Sequence, residues 1–201
     1  MWRRQLASSL VAVVLWAGAP GGDVRPNKRD ATSLKQKVDA ITTYGAKPTT
    51  GQQVRRTTVT ENEVNSYLVF EAKSQLPTGV VEPSVSALGP GRVSGRAVVD
   101  LDAVRKAKNP TSLLDPMNYL FGRLPVTAAG TLTTSNGVGR FAFESASVGS
   151  VPIPKVLLQE IVSYYSRTPE KPAGISLDDP FALPSRIREI QVERGQAIIV
   201  Q

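Results

Sequence analysis

Residues 80–101, VVEPSVSALGPGRVSGRAVVDL, decide the fold class. Two runs, Val80 to Leu88 and Arg92 to Leu101, flank Gly89-Pro90-Gly91, and glycine beside proline punctuates a turn. In the second run Val93, Gly95, Ala97, Val99 and Leu101 alternate with Ser94, Arg96 and Asp100, Val98 being the one apolar exception. A period of two predicts a half-buried antiparallel strand, and the whole stretch reads as a hairpin.

The pattern returns downstream. Leu124 to Thr134, the turn Ser135-Asn136-Gly137 and Val138 to Val148 predict a second hairpin, in which Leu124, Val126, Ala128, Gly130 and Leu132 alternate with polar or small residues. Arg186 to Val192, Arg194-Gly195 and Gln196 to Gln201 predict a third. Helices punctuate these strands. Thr60-Glu61-Asn62-Glu63 has the form of a capping box, and Val59 and Val64 sit where a hydrophobic staple requires them. Val64, Tyr67, Leu68, Ala72 and Leu76 then share one face, predicting a helix over 61–75 stopped by Pro77. Leu34, Val38 and Ile41 predict another from Ser33 to Tyr44, and Asp102 to Lys108 a helical turn. Pro154 introduces a helix over 155–166. It is apolar nearly all round, through Val156, Leu157, Leu158, Ile161, Val162, Tyr164 and Tyr165, so it is expected to be buried on most sides. Lys47 to Gln53 is expected to be a loop, and Thr168 to Pro184 a proline-rich connection. The class is α+β, with antiparallel hairpins and helices in a single domain over 33–201.

Upstream lies a leader. Arg3 and Arg4 precede an apolar run from Leu6 to Ala19, the form of a secretory signal. The run is short beside the roughly 20 residues of a membrane span. Residues 1–21 are therefore read as a signal peptide or an uncleaved N-terminal anchor, and 22–32, with Pro26, as a tether. Either form places the body outside the cytoplasm, in the periplasm or cell envelope. The formal charge is +7, and two of those charges are the leader's Arg3 and Arg4. The remaining basic residues are scattered without interleaved aromatics, which argues against nucleic acid and for attraction to an anionic membrane surface.

Composition removes most catalytic chemistry. The chain has no cysteine and no histidine, which excludes thiolate nucleophiles, cysteine metal sites, disulfides and the commonest general base. No Ser-x-x-Lys spacing offers an alternative. Asp100 with Asp102, and Asp178 with Asp179, are the paired carboxylates, a number that chance supplies among 17 acidic residues. Residues 89–95, GPGRVSG, have the wrong glycine spacing for a dinucleotide loop. Calcium-loop spacing is absent around Asp178. No enzyme activity, metal or cofactor is expected.

Shape and apolar surface remain. Gly95, Ala97, Ala128 and Gly130 are small residues on the inward face of the predicted sheet. They make room either for the apolar helix itself or for a groove that accepts acyl chains, each buried methylene contributing about 0.8 kcal/mol.

The order of elements also resembles a family. The segments T-x-x-E-x-N-x-Y-L (Thr60, Glu63, Asn65, Tyr67, Leu68), V-G-x-V-P-I-P (Val148 to Pro154) and L-P-x-x-I-x-x-I-x-V-x-x-G-x-A-I-I-V (Leu183 to Val200) look like those of small bacterial exported proteins. Those proteins are distantly similar to the tubular lipid-binding (TULIP, BPI-like) superfamily. The resemblance covers about residues 33–201 and implies a strongly curved antiparallel sheet wrapped around one or two long apolar helices, with a lumen for lipid tails. Full-length members are longer and many pair two modules, so one short unit points to a shallow groove or a homodimer.

Within that picture the groove candidates are Val64, Leu68, Leu157, Ile161 and Tyr165 from the helices and Phe141 and Phe143 from the sheet. Asn65, polar within its helix, is expected to cap the backbone of a neighbouring strand. The function expected is a non-enzymatic lipid binder. The alternative is a structural module with a filled core, acting through an envelope protein partner.

Overall fold

Asn27 and Thr60 start the first two helices. In the computed structural model, which describes residues 25–47, 53–108, 121–165, 167, 171–174 and 176–201, helix α1 spans Lys28–Ala46 and α2 spans Glu61–Phe70. The leader over 1–21, the start of the tether and parts of the loops at 47–53 and 168–184 lie outside the described residues. Asn27 accepts the Asp30 N–H through its side chain, and its own N–H donates to the fully buried Ser66 hydroxyl at 3.1 Å. This cap starts α1 ahead of Ser33, so the helix takes up part of the segment read as a tether. At α2 the capping box is complete: Thr60 Oγ1 accepts the Glu63 N–H at 3.2 Å and Glu63 Oε2 accepts the Thr60 N–H at 2.9 Å. The helix ends at Phe70, earlier than its apolar face suggests, and a turn carries the chain on to Gln75.

The strands form two antiparallel sheets. The larger contains β2 (Val80–Gly89), β3 (Arg92–Asp100), β4 (Arg123–Ser135), β5 (Val138–Val148) and β6 (Val151–Pro152) in that order, with β7 (Phe181–Ala182) also on β5. Helix α3 (Leu101–Lys108) follows β3, and α4 (Lys155–Tyr165) follows β6. The smaller sheet joins β8 (Glu189–Glu193) and β9 (Gln196–Val200) to β1 (Arg56–Thr60). Strand β1 has no counterpart in the sequence reading; five threonine, arginine and valine residues carry too little alternation to mark it. The tight turn between β4 and β5 has Asn136 at φ 50° and Gly137 at φ 80°. Both are left-handed, the conformation that matches the twist of a two-residue hairpin.

Strand β8 stitches the sheets together. Gly91 N–H donates to Val192 O (3.1 Å), Gly137 N–H to Arg188 O (2.9 Å), and Thr134 Oγ1 both accepts from Ile190 N–H and donates to its carbonyl. The turns of both long hairpins thus meet the small sheet, and α3, β6 and α4 lie at the opposite end of the large sheet. The buried cluster Ile41, Leu183 and Ile187, with Ile190 and Ile199 packed on it, sits at the stitched end. Arg186 completes it by donating to the carbonyls of Tyr44, Gly45 and Lys47 at the C-terminus of α1, where a cation is favoured.

Helix α4 departs from expectation. Val156 is 72% exposed and Leu157 48%. The side that carries these two residues is therefore open to solvent, and among the described side chains Leu158 is the one that meets the groove over the large sheet. Among the described residues no helix is long and apolar enough to cross a membrane.

Candidate functional site

Direct cross-strand partners share a face of a sheet, so the register defines two unlike faces. One carries Arg92, Ser94, Arg96, Thr127, Thr131, Glu144 and Ser147, with Thr127 hydrogen-bonded to Ser147 (2.6 Å) and Thr131 donating to Glu144 (2.6 Å). The other carries the row Val85–Gly95–Ala128–Ala146 and, beside it, Ala97–Val126–Val148. Two β-bulges build this second face. An extra residue between Val81 and Ser84, where Glu82 takes φ 51°, puts Val80 and Val85 on the same side although five positions separate them. Another, opposite Ala129 and Gly130, does the same for Phe143 and Ala146.

Over these rows lies a groove of about 500 Å³, within the range of small-ligand sites. Leu68 of α2, Pro83 of β2, Ile153 between β6 and α4, and Leu158 of α4 form its walls, and its lining is almost wholly apolar. Ser84, Arg96, Thr127 and Ser147 also border it; alternation turns their side chains to the polar face, so they contribute main chain. Ala128 at the centre of the floor is exposed. A smaller hollow of about 80 Å³ lies between α2, β3 and the small sheet and shares Val85 with the groove.

The predicted candidates divide between these places. Leu68 lines the groove, and Val64 lines the smaller hollow with Val59 and Val93. Leu157 is half exposed and outside the groove lining, and its neighbour Leu158 takes the expected place, one residue further along the helix. Phe141 and Phe143 are half-buried on the apolar face but outside the groove lining. The side chains of Ile161 and Tyr165 lie outside the described residues. Sequence reasoning missed Pro83, Ala146, Val148, Ile153 and Leu158. For Ala146 and Val148 the missing signal was the bulge, since uninterrupted alternation from Phe141 turns them to the polar face.

Helix α2 is held against the sheet edge by polar side chains. Asn65 Nδ2 donates to Val85 O (2.9 Å) and Asn65 Oδ1 accepts from Val85 N–H (2.7 Å), the strand-capping role expected of it. One turn earlier, Glu61 accepts from Ala87 N–H at 2.9 Å. Together they occupy the Val85–Ala87 stretch of the open edge of β2, which would otherwise invite pairing with another strand. Glu63, buried beneath α1, accepts from Lys37 Nζ (2.6 Å) and Ser33 Oγ (2.6 Å) as well as Thr60 N–H. Burial alone pushes its carboxyl up, and the bonds from Lys37, Ser33 and Thr60 outweigh that and hold it below the usual carboxylate range.

Three of the four paired acids singled out in the sequence have cationic partners. Asp100 accepts the Ala103 N–H at the start of α3 and faces Arg123; the Ala103 amide, against slight desolvation and with Arg123, holds its carboxyl down. Asp102 pairs with Arg105, and Asp178 with Lys155 at 2.6 Å. Among the described residues no group of three or more metal-ligating side chains gathers.

No known protein family, curated protein or solved structure matches the chain.

Proposed function

We propose that this chain is an exported, non-enzymatic lipid-binding protein that holds acyl chains in the groove over Gly95, Ala97 and Ala128. The observation that carries the reading is an apolar groove of about 500 Å³ whose floor is carbon and whose central residue is open to the outside. A groove without polar partners selects ligands that need none. Burying about ten methylenes at about 0.8 kcal/mol each gives about 8 kcal/mol, which is micromolar binding before ordering costs. The leader over 1–21 supports export, and the positive charge supports work near an anionic membrane surface. In this reading the large sheet with α2 and α4 is the cradle of a single TULIP-like unit, curved around its apolar helices, and no metal or cofactor takes part.

A specific observation favours a second reading, in which the chain docks a protein partner or a second copy. Phe121 (65% exposed), Val151 (68%) and Val156 are large apolar residues left exposed in segments that adjoin the end of the large sheet away from the small one, and such residues mark an interaction surface where they gather into a patch. Displacement of a fluorescent fatty-acid probe separates the two. With lipid binding, Ala128→Leu fills the floor and weakens the probe about tenfold, the worth of about two methylenes. Equal probe binding by wild type and Ala128→Leu contradicts it.

A further inference from the structure

We infer that Val85 is the end wall of the groove, the side chain that sets the longest acyl chain it accepts and shuts that chain out of the hollow behind it. This rests on the lipid-binding reading above and names a specificity determinant within it. In the row Val85–Gly95–Ala128–Ala146 the last three residues are glycine and alanine, and Val85 alone carries a branched side chain. A Cβ placed on Gly95 would meet only the Ser84 carbonyl oxygen, 3.9 Å away. The floor therefore stays open up to Val85, the cross-strand partner of Gly95. The neighbouring row carries Val126 and Val148, which leaves the row through Gly95 and Ala128 as the lower path for a chain.

Behind Val85 the space resumes. Three elements each step along one face from the groove to the hollow of about 80 Å³: Leu68 to Val64 on α2, Val85 to Ala87 on β2, and Gly95 to Val93 on β3. Ala87 and Val93 are themselves cross-strand partners, the next row on the same face and about 6.6 Å further along the strands. Among the described residues Val85 alone borders both spaces, so its isopropyl group is the partition between them. The partition is held in place. Asn65 bonds both main-chain groups of Val85, at 2.7 and 2.9 Å, and moving the strand aside to admit a longer chain would break both bonds.

The test uses the exported protein, purified without detergent, and a series of saturated fatty acids of increasing length, with binding read by displacement of the fluorescent probe. For wild type, affinity rises about fourfold per added methylene up to a limiting length and then stops rising. Val85→Ala removes two methyl groups and opens the hollow, so the limit moves to chains about two carbons longer or more. Adding Ala87→Leu to that variant fills the hollow and draws the limit back. Gly95→Ala sets a methyl group in the open space before Val85 without overlapping the backbone, and it moves the limit to shorter chains. Circular dichroism and melting curves establish which variants are folded. If folded Val85→Ala keeps the wild-type limit, or Gly95→Ala does where it alone folds, the wall is refuted while lipid binding stands. If wild type takes up no fatty acid of any length, lipid binding and the wall fall together.

Discussion

Replacing Asn65 tests how α2, and with it one wall of the groove, is held to the sheet. The Asn65 amide makes two hydrogen bonds to one residue of β2, at 2.7 Å to Val85 N–H and 2.9 Å to Val85 O. Each such bond contributes about 1 kcal/mol, and leaving a partner unsatisfied costs about 1–3 kcal/mol. Val85 is half-buried, so water recovers part of the loss. Asn65→Leu keeps the volume and abandons both groups, and the expected cost is about 2–3 kcal/mol. At about 2–4 °C per kcal/mol for a domain of this size, the melting temperature falls by about 5–10 °C. Asn65→Asp keeps an acceptor for the Val85 N–H but sets a second oxygen against the Val85 carbonyl. It is expected to cost as much at neutral pH and to recover when the carboxyl is protonated. The assay is urea and thermal unfolding followed by circular dichroism at two pH values. If both variants unfold within about 0.5 kcal/mol of wild type, the edge of β2 is satisfied by other means and the reasoning fails.

Two further perturbations probe the packing around that wall. Glu63 has its carboxyl lowered in the folded protein, so its contribution is fully present above the unfolded value, about 4.3, and is lost as pH falls through the folded one; Glu63→Gln should flatten the acid side of the melting-temperature profile, and an unchanged profile would contradict this. Gly45→Ala brings a Cβ onto the Ser185 carbonyl beside the Arg186 cap, and a destabilisation of about 1–3 kcal/mol in urea titrations is expected from such overpacking.

Much of the framework was legible from local chemistry. The turns at 89–91, 135–137 and 194–195 and the capping box at Thr60 each depend on residues a few positions apart, and the structure has all of them where the sequence puts them. The groove was legible only as a tendency. Gly95, Ala97 and Ala128 announced a floor of small residues, but its extension to Ala146 and Val148 depends on a bulge that no local signal marks. Leu158 rather than Leu157 lines the groove, a choice between adjacent leucines that local sequence leaves to the long-range docking of α4. Gly130, read as open space, is occupied by a ring from the neighbouring strand.

Whether lipid travels with the protein is answered by native mass spectrometry of the chain from Gly22 onward, exported behind a substitute signal and purified without detergent, beside an organic extract of the same sample. Lipid binding predicts a stoichiometric adduct whose mass matches a lipid in the extract and which Ala128→Leu reduces without unfolding the protein. A folded protein with a clean unliganded mass, taking up neither added fatty acid nor phospholipid, would contradict it and leave the exposed residues Phe121, Val151 and Val156 as the surface to explain.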